Sequence, residues 1–140
     1  VSDLIEFLTA RLDEDEAAAT AAASCTGPDW HHSHAVTANG ATTIIFNGPD
    51  DDIEVADTLR RDDEEIAPFI ARQDPARALR EVEAGRGILA RYKDCLARME
   101  NPDYSAVFAR AQAREYEDFV LPNLLIRYSD HPDYRQEWKP

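Results

Sequence analysis

One run constrains this chain more than any other: DPARALREVEAGRGILARYKDCLARM, from Asp74 to Met99. It predicts a single long helix. Asp74 is a suitable N-cap, because its carboxylate can accept from the free amides of a first turn. Pro75 then occupies the first helical position, where a missing N–H costs nothing. Ala78, Val82, Gly85, Leu89, Tyr92, Leu96 and Met99 follow at alternating four- and three-residue steps. That spacing draws one apolar seam along a helix. Arg80, Glu81, Glu83, Arg86, Arg91, Lys93 and Arg98 fill the remaining faces. A seam needs partners, and the rest of the chain can supply them. Gly85 and Gly87 each weaken a helix by about 1 kcal/mol relative to alanine. A bend, or a close crossing by another element, would account for them.

The segment before the long helix is mixed. Asp3 to Ala23 predicts a first helix, with Asp3 and Glu6 at capping-box spacing and Leu4, Leu8 and Leu12 recurring along one face. Its alanine-rich second half favours helix but buries little surface. Thr26-Gly27-Pro28 should end it. Trp30 to Ala38 and Ala41 to Asn47 flank Asn39-Gly40, a strong hairpin signal because a type I′ turn needs positive φ twice. Ile53 to Asp57 can add a third strand after Asn47-Gly48-Pro49. A helix capped by Asp62 or Asp63 and running to about Gln73 would present Ile66, Phe69 and Ile70, with Pro68 disturbing its start.

After the long helix, Asn101-Pro102 stops the pattern. Asp103 or Ser105 opens another helix carrying Val107, Phe108, Ala111, Tyr116, Phe119 and Val120. Pro122 interrupts it before Leu124, Leu125, Ile126 and Tyr128. A last turn, Asp133 to Trp138, would pin the end through Tyr134 and Trp138. The expected class is α+β: an N-terminal helix, a small three-stranded antiparallel meander, then three helices and a terminal turn. Its 140 residues are expected to form one domain, 1–140.

Charge narrows the function. The chain holds 28 acids against 15 bases, a formal charge of -13. Phosphate-backbone binding depends on Lys and Arg, so nucleic acid is not an expected partner; nor is an anionic membrane. No apolar run reaches membrane length. The two cysteines, Cys25 and Cys95, suggest no disulfide framework, and a cytoplasmic setting is expected.

Four groups could carry chemistry. His31, His32 and His34 lie near Cys25 and Asp29. Alternate strand residues share a face, so His32 and His34, joined by Cys25, could hold zinc. The spacing matches no established zinc motif, and solvent-facing strand residues are the simpler reading. His131, before Pro132, reads as a loop residue. Gly85-Arg86-Gly87-Ile88-Leu89-Ala90 fits a dinucleotide fingerprint on paper, but its amides fall inside a helix and are already used. The acidic blocks Asp50–Asp52 and Asp62–Glu65 read as solvated charge, with nothing fixing two carboxylates at a working distance. Trp30, Tyr104, Tyr116, Tyr128, Tyr134 and Trp138 read as core and rim packing. No catalytic residue and no resident cofactor is assigned.

Three stretches carry a family likeness: SDLIEFLTARLDEDE at the start, IARQDPARALREVEAGRGIL in the middle, and LLIRYSDHPDYRQEWKP at the end. On these the chain resembles an uncharacterised family of small actinobacterial and actinophage proteins, a domain of unknown function. The resemblance implies a short sheet feeding a helix pair, and an accessory role. It implies no substrate, cofactor or catalytic residue. Longer residues are usual in that family at Gly85 and Gly87. The function expected is a non-enzymatic interaction protein that self-associates through helices as a homodimer or larger oligomer. The alternatives are a metal-binding protein built on the histidine cluster and an acidic mimic of nucleic acid.

Overall fold

The computed structural model describes residues 2–37, 40–47, 53–58, 66–100 and 105–140. Its elements run α1 (Ser2–Thr26), β1 (Trp30–Thr37), β2 (Gly40–Asn47), β3 (Ile53–Thr58), α2 (Ile66–Ala71), α3 (Pro75–Met99), α4 (Ser105–Glu115) and α5 (Leu121–Leu125). A π-helical turn, Tyr116–Val120, joins α4 to α5, and 3-10 turns cover Ile126–Tyr128 and Gln136–Trp138. The residues cluster into two compact units, Val1–Glu14 with Val82–Pro140, and Asp15–Glu81. The helices α1 and α3 contribute residues to both.

The α+β expectation is corrected: the fold is mostly helical. Helical elements take up far more of the described chain than the three strands do. The main core joins Leu4, Phe7, Leu8 and Leu12 of α1 to Val82, Leu89, Tyr92 and Cys95 of α3, and to Leu121, Leu125, Tyr128, Tyr134 and Trp138. Among the described residues it holds no strand residue. The three strands pair as an antiparallel sheet in the order β1-β2-β3. β1 runs against β2 from Trp30↔Asn47 to Thr37↔Gly40. β2 runs against β3 with a bulge where Ile45↔Ala56 is followed by Phe46↔Glu54. Asn39, Gly48 to Asp52, Asp62 to Glu65 and Asn101 to Asp103 lie outside the described residues, and with them the expected turn and cap roles.

The first unit owes its packing to a close approach. A β-carbon on Gly85 would stand 2.8 Å from Leu12 Cδ2, whereas one on Gly87 would meet nothing within 4 Å. Only the first glycine marks the crossing. Cys95 is fully buried, while Leu96 only packs against the core from its margin, so the thiol sits in the seam instead of beside it. The expected capping box does not form. α1 begins one residue earlier, at Ser2, and Asp3 instead meets Arg135 Nη2 at 2.7 Å. The terminal turn does pin the end: Tyr134 and Trp138 are buried and pack on Phe7, with ring centroids 6.3 and 5.1 Å away.

In the second unit, Gly27 ends α1 with φ 77° and donates to the Ala23 carbonyl at 2.9 Å. This is the left-handed cap that favours glycine. The start of α3 is fully satisfied. Pro75 has no N–H, Ala76 donates to the Pro28 carbonyl at 2.9 Å, and Arg77 donates to Asp74 Oδ1 at 2.7 Å. The small core here is Ile45, Ala67 and Ala71, with Trp30, Val55 and Ile70 at its margin. The expected apolar face of α2 is therefore wrong in part. Ala67, Ile70 and Ala71 turn inward, while Ile66 and Phe69 are exposed. Small side chains let a helix approach a sheet closely, which large ones would prevent.

Candidate functional site

The expected metal ligands fare differently. Cys25 is an exposed free thiol near the end of α1. His32 is exposed and His31 half-buried, both on β1. The side chain of His34 lies outside the described residues. Among the described residues no three His, Cys, Asp or Glu side chains gather as a metal site. His131, in the first unit, is engaged: Arg11 Nη1 lies 2.8 Å from its Nε2, the Asp133 N–H donates to its Nδ1 at 3.1 Å, and Phe7 packs edge-on at 5.5 Å.

What the second unit does build is a groove of about 380 Å³, lined by Trp30, His31, His32, Pro68, Ala71, Arg72, Asp74 and Arg80. The start of the strand supplies Trp30 and the histidines. The turn between α2 and α3 supplies Arg72 and Asp74, and the second turn of α3 supplies Arg80. Trp30 is held in place, its indole N–H donating to Thr26 Oγ1 at 3.0 Å. The Asp74 carboxylate is committed to capping α3.

In the first unit the π turn performs a specific task. Pro122 lacks an N–H, and a π turn absorbs the break one turn earlier: Leu121 donates to the carbonyl of Tyr116. This places Glu117 against the interior. Tyr92, fully buried, donates its hydroxyl to Glu117 Oε1 at 2.5 Å. Burial, and then the neighbouring carboxylate, push the Tyr92 hydroxyl well above the usual phenol range. Glu117 also lines a cavity of about 260 Å³ with Leu4, Leu121, Pro122, Glu137 and Trp138.

A family model matches residues 1–140. The chain belongs to DUF6221, a family of unknown function. No curated protein and no solved structure matches it. Membership of DUF6221 thus carries no activity to this chain. No described helix is long and apolar enough to cross a membrane.

Among the described residues, large apolar side chains are exposed on α4 and the turns after it, as Ile66 and Phe69 are on α2. Val107, Phe108 and Phe119 are 66%, 59% and 66% exposed, while Ala109 and Ala113 are buried. The sequence places Val107 and Phe108 in this helix without assigning them a face. α4 turns its alanines inward and its bulk outward. Arg110 and Arg114 are exposed on the same helix. Sequence reasoning missed Arg72, Glu117 and this inversion. The Pro122 signal could have pointed to a π turn, and hence to Glu117; nothing local marks the other two.

Proposed function

We propose that this chain is a non-enzymatic interaction protein that self-associates through α4. The supporting observation is the inversion on that helix, with alanine buried and Val107 and Phe108 exposed. Leaving large apolar side chains in water forgoes about 25 cal/mol per Å², and contiguous exposed apolar surface marks interaction sites. The seam of α3 does not serve this purpose, because Val82, Leu89, Tyr92 and Cys95 are covered within the chain.

A second copy is the proposed occupant, since each chain presents the same apolar face. Arg110 and Arg114 on that helix moderate locally the repulsion between two chains of net charge -13. Pairing of α4 about a two-fold axis would cover Val107 and Phe108 of each copy with the same face of the other. Sedimentation equilibrium tests this. A dimer that dissociates in Val107→Gln is the expected result. A monomer at every concentration would overturn it.

A further inference from the structure

We infer that the groove between the start of β1 and the α2–α3 turn binds a small phosphate-bearing molecule. Three features converge. First, the groove gathers positive charge on an acidic chain: Arg72 and Arg80 line it, and among the described residues neither guanidinium has an ion-pair partner. Arginine suits phosphate because its planar fork donates two parallel hydrogen bonds. Second, Asp74, the one carboxylate among the described lining residues, is turned to the helix amides, accepting from Arg77 N–H at 2.7 Å. The first-turn amides are themselves consumed by Asp74 and by the Pro28 carbonyl, so side chains, not a free helix terminus, must do the binding. Third, Trp30 offers a flat wall whose indole is fixed to Thr26 at 3.0 Å. A volume of about 380 Å³ suits a small molecule and not a polymer.

The test uses the full chain and the indole N–H resonances of its two tryptophans. Trp30 reports on the groove, and Trp138, buried in the main core, is the internal reference. Inorganic phosphate at constant ionic strength should give a saturable shift of the Trp30 signal alone, and adenosine monophosphate a tighter one through stacking. Arg72→Gln with Arg80→Gln should abolish it; both residues are exposed, and an unchanged Trp138 signal confirms that the fold is kept. Asp74→Asn keeps a capping side chain and removes the opposing charge, so it should tighten binding. No saturable shift with phosphate, a shift that survives the double arginine variant, or an equal response to acetate would overturn the assignment.

Discussion

Leu12 Cδ2 lies 2.8 Å from where a β-carbon on Gly85 would stand. Leu12 is itself 1% exposed, so it has little room to withdraw. Gly85 is therefore a packing residue, and Gly87 is a helix weakness with no packing return. Gly87→Ala should stabilise the protein by about 1 kcal/mol through helix propensity alone. Gly85→Ala gains the same propensity but overpacks the crossing, at a cost of about 1–3 kcal/mol. It should come out neutral or destabilising. In a Leu12→Ala background the clash disappears, and Gly85→Ala should then stabilise. A urea-denaturation double-mutant cycle measures the coupling; independent, additive effects would refute the contact.

Tyr92 predicts an alkaline sensitivity. Its hydroxyl holds its proton in the folded state well above the ordinary phenol range, because it is buried and bonded to Glu117. In the unfolded chain it ionises near 10. Above that pH the folded state binds more protons than the unfolded one, so stability falls as pH rises. The contribution is complete below about pH 10, and the loss approaches about 1.4 kcal/mol per pH unit above it. Tyr92→Phe should flatten that slope. It should also cost about 1–3 kcal/mol at neutral pH, because the half-buried Glu117 loses a donor. Denaturant midpoints for both proteins between neutral and strongly alkaline pH check this, and parallel curves would exclude the mechanism.

The reach of the sequence follows the range of the interactions. α3 was legible from Asp74, Pro75 and the seam, because capping and helical period are local. The end of α1 was legible from Gly27 for the same reason, and the pinning role of Trp138 from its place in the last turn. The balance of the fold was not. Strong β-signals such as TTIIF describe their own segment and say nothing of how much of the chain is helical. The covered face of α2 was misread, and that of α4 was not assigned, because hydrophobicity reports what a side chain prefers, not which face has room. Ala67, Ala71, Ala109 and Ala113 are buried where close approach decides. The groove joins Trp30 to Arg72 and Arg80 across distant parts of the chain, a juxtaposition that no local pattern encodes.

The inversion on α4 separates folding from association. Enlarging an inward residue, as in Ala113→Leu, should overpack the core and destabilise the chain by about 1–3 kcal/mol. Replacing an outward one, as in Val107→Gln, should leave stability within about 0.5 kcal/mol at concentrations where the chain is monomeric. The same Val107→Gln should weaken the dimer. Thermal melts at low concentration and mass measurement at high concentration read the two effects apart. A Val107→Gln protein that melts early while monomeric would place that side chain in the core.

The cap at Asp74 tests how α3 is held at its start. Its carboxylate takes the Arg77 N–H at 2.7 Å, the Ala76 N–H goes to Pro28 and the Ala78 N–H to the Asp74 carbonyl. The side chain therefore satisfies one amide that nothing else reaches. Asp74→Ala should cost about 1 kcal/mol. Asp74→Asn should cost far less, since the amide oxygen can accept the same bond. The charge itself adds a helix-dipole contribution of about 0.3–1 kcal/mol that salt screens, so the gap between wild type and Asp74→Asn should close as salt rises, while the Asp74→Ala deficit persists. Guanidinium chloride would itself screen that charge, so urea melts at low and high sodium chloride are the appropriate measurement. An Asp74→Ala deficit that vanished with salt would mean that charge, and not the hydrogen bond to Arg77, anchors the helix.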